Sequence, residues 1–127
     1  IPLFRRQGEF DGLKGHIINI SSSVTRIGVA NLALYAASKS ALNSLSESTA
    51  NEVRNEGIKI SVLAPASTDT DMMRNFVKPK KGAPLSPSAA ARKLTPDEVA
   101  EAILFEATQN PNAWTSMADI RPLAVKK

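Results

Sequence analysis

The strongest constraint on this chain is an alternation of short β-branched runs with one long helical pattern. The first run, His16 to Ile20, follows Gly15 and stops at Ser21, Ser22 and Ser23, so it reads as a buried strand opening into a loop. From Leu34 to about Asn55, Ala37, Ala41, Leu42, Leu45, Thr49 and Val53 recur at helical spacing, and Gly57 supplies a stop. Ile58 to Leu63 alternates and then meets Ala64 and Pro65. A proline has no amide hydrogen to give a central ladder, so this second strand ends there. A strand, a long helix and a strand in this order form a parallel pair joined by a right-handed crossover.

The remainder continues the alternation. Asp71 to Val77 suits a short helix, and Lys78 to Ala91, rich in Pro, Lys, Ser and Ala, reads as a mobile flap. Thr95, Pro96, Asp97 and Glu98 form a helix start in which the threonine caps, proline takes the first turn and Glu98 closes a capping box. That helix is expected to run to about Gln109, with Pro111 beyond its end, and Trp114 to Ile120 is expected to add a last strand. No internal repeat is visible. The expected fold class is α/β, with a parallel sheet and helical crossovers. Ligands of such sheets bind at the carboxyl ends of the strands. Ser22 lies just past the first strand and Thr68 and Thr70 just past the second, so both groups are expected to face one crevice.

Composition narrows the function classes. The 127 residues suffice for one domain or a piece of one, and 43% hydrophobic with 22% charged residues is ordinary for a globular protein. No apolar run approaches the roughly 20 residues of a membrane span, and no secretory leader opens the chain, so a soluble cytoplasmic protein is expected. With no cysteine and the single histidine His16, disulfides, thiolate metal sites and histidine clusters are excluded. The net charge of +4 comes partly from short clusters, Arg5 and Arg6, Lys78, Lys80 and Lys81, and Lys126 and Lys127. Only six aromatic residues occur in the chain, too few to interleave with these clusters as stacking platforms. They read as solvated loop and tail rather than a nucleic-acid surface.

Tyr35 and Lys39 stand four apart near the start of the long helix, one turn apart on one face. An ammonium beside a phenol favours the phenolate, which a general acid/base working near neutral pH requires. Ser22, thirteen residues before Tyr35, stands where a hydroxyl could hold a substrate oxygen. Taken alone, a Tyr and a Lys at this spacing more often form an exposed helix pair.

Four segments in order change that balance: GHIINISSS, YAASK, LAPASTDTDM and LTPDEVAEAILF. Together they resemble the active-site half of the short-chain dehydrogenase/reductases. The resemblance implies a Rossmann-type, doubly wound parallel-sheet domain of which this chain is the C-terminal half. It also implies NAD or NADP as cofactor and a small-molecule carbonyl or alcohol substrate. Ser22 would orient the carbonyl, Tyr35 would exchange the proton, and Lys39 would bind the nicotinamide ribose while favouring the Tyr35 phenolate. The Thr70 hydroxyl would contact the nicotinamide carboxamide, with the backbone at Pro65 and Thr68 passing close to the ring.

Other residues receive plainer readings. Asn19 has no catalytic role, Ser21 and Ser23 satisfy the loop, His16 lines a strand start, and Met72 and Trp114 pack. The sequence departs from the family pattern where Ala66 replaces the usual glycine and Thr68 the usual Val or Ile. A glycine kept for its backbone conformation would make Ala66 a handicap for cofactor binding. The family's glycine-rich phosphate turn, its Asn-Ala-Gly strand end and its helix asparagine are missing, and the chain begins at Ile1. The expectation is therefore a fragment whose dinucleotide-binding half is absent, from a parent that is a homo-oligomer with no membrane or nucleic-acid partner. A truncated, non-catalytic piece acting as an interaction module through its long helix is the alternative.

Overall fold

Three parallel strands form the sheet in the order β1-β2-β3, with β1 at Gly15–Ile20, β2 at Ile58–Pro65 and β3 at Met117–Ile120. They are seen in a computed structural model that describes residues 1–76 and 92–123. Helix α1 covers Pro2–Arg6, α2 Ala33–Val53, α3 Asp71–Phe76 and α4 Pro96–Ala107. Short 3₁₀ turns occupy Ser23–Thr25 and Arg54–Glu56. Val77 and the expected flap from Lys78 to Ala91 lie outside the described residues, as do Lys126 and Lys127.

Strand β2 is central, and its residues from Ile58 to Ala64 are all buried. Alternation sends Ile58 and Ile60 to one face. There they meet Ala50 and Val53 of α2, with Ile1, Phe4 and Ile17 packed around them. Burying each large aliphatic side chain of this cluster stabilises the fold by about 1.5–3 kcal/mol. On the other face, under α4, lie Lys59, Ser61 and Leu63. Asn19 of β1 donates to the Ser46 hydroxyl of α2 at 2.8 Å, and Ser46 donates to the Leu42 carbonyl at 2.7 Å. That bond ties the first strand to the helix that crosses over it.

Turn chemistry agrees with the sequence after α2 and at the start of α4. Gly57 has φ +73°, and a Cβ there would lie 2.6 Å from the Gly12 carbonyl oxygen, so only glycine fits. The capping box at Thr95 and Glu98 is present in both directions, with hydrogen bonds of 3.1 and 2.8 Å. Helix α4 ends at Ala107, two residues before the expected Gln109.

Two elements depart from the sequence reading. Helix α1 has no periodicity long enough to announce it, and tertiary contact supports it: a Cβ at Gly15 would fall 2.7 Å from the Phe4 ring, which lies over the strand start. The last strand begins at Met117, not Trp114. Thr115 turns its carbonyl to the Ser61 hydroxyl at 2.7 Å, and Trp114 donates its indole N–H to the Ile60 carbonyl at 3.0 Å. A side chain thus satisfies β2 where a strand backbone was expected.

Candidate active site

Because all three strands are parallel, Ile20, Pro65 and Ile120 end at one edge of the sheet. The ladder closes up to that edge, with Ser21 N–H donating to the Leu63 carbonyl at 2.7 Å and Ala66 N–H to the Ile120 carbonyl at 2.8 Å. The polar loops after β1 and β2 therefore open on the same side, as the sequence pattern requires.

Ser22 is extended (φ −160°, ψ 148°) and precedes the 3₁₀ turn at Ser23–Thr25. Its hydroxyl accepts a long bond of 3.4 Å from Val24 N–H, and its carbonyl accepts from the Thr25 hydroxyl at 2.9 Å. The Ser22 hydroxyl proton has no acceptor among the described residues. Arg26, at the end of this turn, pairs with Asp119 at 2.9 Å and reaches the Met117 sulfur at 3.1 Å. Two residues of β3 thus brace the loop that carries Ser22.

Tyr35 lies in the first turn of α2 and is 39% exposed. Lys39, one turn on, donates from Nζ to the Ile20 carbonyl at 2.9 Å and stands 5.9 Å from the Tyr35 ring centroid. That separation is within cation–π range. The last carbonyl of β1 thereby fixes the lysine beside the tyrosine, and two of its ammonium hydrogens remain for other acceptors.

The loop after β2 is pinned by Leu94, a buried residue whose N–H donates to the Ser67 carbonyl at 2.9 Å and whose carbonyl accepts from Asp69 N–H at 2.8 Å. Thr68 turns its hydroxyl onto the Ala66 carbonyl at 3.0 Å, while the Thr70 hydroxyl accepts from Met73 N–H at 3.3 Å and caps α3. These local roles were not read from the sequence, although a threonine just ahead of a helix is the signal for the second. Among the described residues, left-handed backbone occurs at Asp11, Gly12, Asn31 and Gly57 alone. Ala66 is not among them, so the left-handed backbone that would favour a glycine at this position does not occur.

Lys39 thus joins Tyr35 to the end of β1, where Ser22 follows, while Pro65, Thr68 and Thr70 lie at or after the end of β2. The Arg26–Asp119 brace was missed entirely, since partners 93 residues apart leave no local signal. Among the described residues, no group of three His, Cys, Asp or Glu could hold a metal, and no helix is long and apolar enough to cross a membrane.

A parallel sheet with helical crossovers and a polar carboxyl edge defines a Rossmann-type α/β protein. The profile of the short chain dehydrogenases matches residues 7–81, and the chain belongs to that family of oxidoreductases. The 3-oxoacyl-[acyl-carrier-protein] reductase FabG of Salmonella typhimurium is 38% identical over 101 residues, 80% of this chain and 41% of that protein. The chain spans about two fifths of the length of the curated relatives it matches. The crystal structure of 3-hydroxyacyl-CoA dehydrogenase type-2 from Mycobacterium avium superposes with a TM-score of 0.71 at 24% identity, over 92% of this chain and 46% of that one. A metagenomic short-chain oxidoreductase solved in complex with NADP gives a TM-score of 0.60 at 32% identity, over 86% and 39% of the two chains.

Proposed function

We propose that this chain is the substrate-side half of an NAD- or NADP-dependent oxidoreductase that interconverts a carbonyl and a secondary alcohol. The observation that carries the reading is the Lys39 ammonium, fixed on the Ile20 carbonyl and standing beside the Tyr35 ring at the edge where Ser22 emerges. The residues present fit a nicotinamide dinucleotide: Lys39 keeps two hydrogens for a ribose, and the backbone from Pro65 to Thr68 is not left-handed at Ala66. The Thr70 hydroxyl keeps its own proton for a carboxamide after accepting from Met73. The nicotinamide would supply or accept the hydride when bound.

The protein's own residues handle the oxygen and the proton. Ser22, with an uncommitted hydroxyl proton, donates to the substrate oxygen and holds it. Tyr35 delivers its phenolic proton to that oxygen in reduction and recovers it in oxidation, and the Lys39 charge stabilises the phenolate between these events. Pyrophosphate and adenosine contacts are assigned to a preceding glycine-rich half of the full-length protein. Leu34 and Leu45, exposed on α2 at 89% and 63%, support a homo-oligomer joined along that helix.

In the full-length protein, assayed first with a 3-oxoacyl thioester because the FabG relatives carry that name, Tyr35→Phe should lower turnover by about a hundredfold or more. Cofactor affinity should stay nearly unchanged. Equal losses of affinity and rate would make Tyr35 structural and overturn the reading.

A further inference from the structure

At the amino edge of the sheet, opposite the candidate active site, a cavity of about 270 Å³ opens between the Gly12 turn, the Gly57 turn and the segment from Pro111 to Trp114. We infer that this cavity binds a small organic acid, a single ring bearing one phosphate or carboxylate.

Charge is the first ground. The two ionisable residues lining the cavity are Arg54 and Lys59, and no acid lines it. Arg5, Arg26, Arg74 and Arg92 each pair with a carboxylate, whereas Arg54, like Arg6 and Arg121, has no ion-pair partner among the described residues. Lys59 is 8% exposed, and its ammonium donates to the Asn110 and Ala113 carbonyls. These carbonyls hold the ammonium, and the Glu106 carboxylate on the same α4 face supplies its counter-charge without lining the cavity. Arg54 is therefore the cation that the cavity leaves without one.

Shape is the second ground. Trp114 spends its indole N–H on the Ile60 carbonyl, which fixes the ring, yet the residue remains 40% exposed. Leu13 and Pro111 add apolar wall. The rim is built to hold its form, because the Gly57 and Gly12 backbones approach too closely for any side chain at Gly57. A fixed aromatic face beside two cations suits an aryl acid, and the volume lies just below the lower range of ordinary ligand pockets.

Trp114 is the single tryptophan, so its fluorescence reports the cavity directly. Phenyl phosphate titrated into the 127-residue chain should give a saturable change with a dissociation constant of about 1 mM or less at low salt. Benzyl alcohol, the neutral comparison, should give none. Arg54→Gln, at an exposed position and therefore leaving the thermal midpoint unchanged, should weaken binding by about tenfold, and Arg54→Lys should recover most of it. No saturable response to phenyl phosphate, or equal responses from benzyl alcohol or from Arg54→Gln, would overturn the inference. Because the cavity and Tyr35 lie at opposite edges, neither result bears on the proposed redox reaction.

Discussion

The two faces of strand β2 are equally buried and chemically opposite. Toward α2, Ile58 and Ile60 meet Ala50 and Val53 in a cluster without a titratable group. Toward α4, Lys59 and Ser61 are buried beside His16 and Glu106. The Ser61 hydroxyl has one proton and donates it to the Thr115 carbonyl, so the 2.8 Å contact from His16 has Nε2 as donor. Burial holds the His16 imidazole below its ordinary pKa, with the cross-strand Lys59 charge adding to the effect. Burial likewise lowers Lys59 and raises Glu106, each against the pull of the other's charge. One face is stabilised by area removed from water, which is insensitive to geometry; the other depends on each polar atom finding its partner.

If that contrast is right, deleting aliphatic volume should have the largest effect. Ile60→Ala, at a position 3% exposed, should cost about 2–5 kcal/mol, read as a lower urea midpoint at unchanged slope. A loss smaller than that of the next substitution would reverse the ranking of the two faces. Ser61→Ala removes little volume but strands the His16 N–H and the Thr115 carbonyl, and should cost about 1–3 kcal/mol. A neutral result would show that water replaces the hydroxyl and that the polar face is wetter than its burial indicates.

The smallest effect is a pH dependence confined to the α4 face. His16 has a folded-state pKa below its unfolded value of 6.5, so the unfolded chain takes up the proton first as pH falls. Stability present above pH 6.5 should therefore decline as pH drops through the folded value, and His16→Asn should remove that decline. Glu106 acts with the opposite sign: its raised pKa makes the folded state bind the proton first, so acidification through that value, above 4.5, restores stability. A midpoint that ignores pH in both the parent chain and the His16 variant would break the assignment of titrating groups to this face.

Most of the candidate site was legible because its signals are local. The helical spacing of Tyr35 and Lys39, the serines after β1 and the threonines after β2 each depend on a few neighbouring residues. The same holds for the Thr95 capping box, which formed as the sequence reads. Trp114 was misplaced for the converse reason. A run of strand-forming residues shows propensity, but whether backbone or indole bonds to Ile60 is decided by the partner strand. Helix α1 was missed because five residues hold too few turns to show a period, and the Phe4 packing that supports it is non-local.

By itself the sequence determined the alternation of strands and helices, the stops at Gly57 and Pro65, and the Ser22, Tyr35 and Lys39 pattern. These follow from side-chain periodicity and backbone restriction, which act within a few residues. Only the tertiary structure decided which face of β2 is aliphatic and which is polar, that Lys39 is held by Ile20, that Arg26 braces the Ser22 loop, and that Arg54 and Lys59 share a cavity. Each of these joins residues from different elements, and the tight Gly57 turn brings Arg54 and Lys59 to one opening. The pairing of strands sets their separation in space, and no spacing along the chain encodes it.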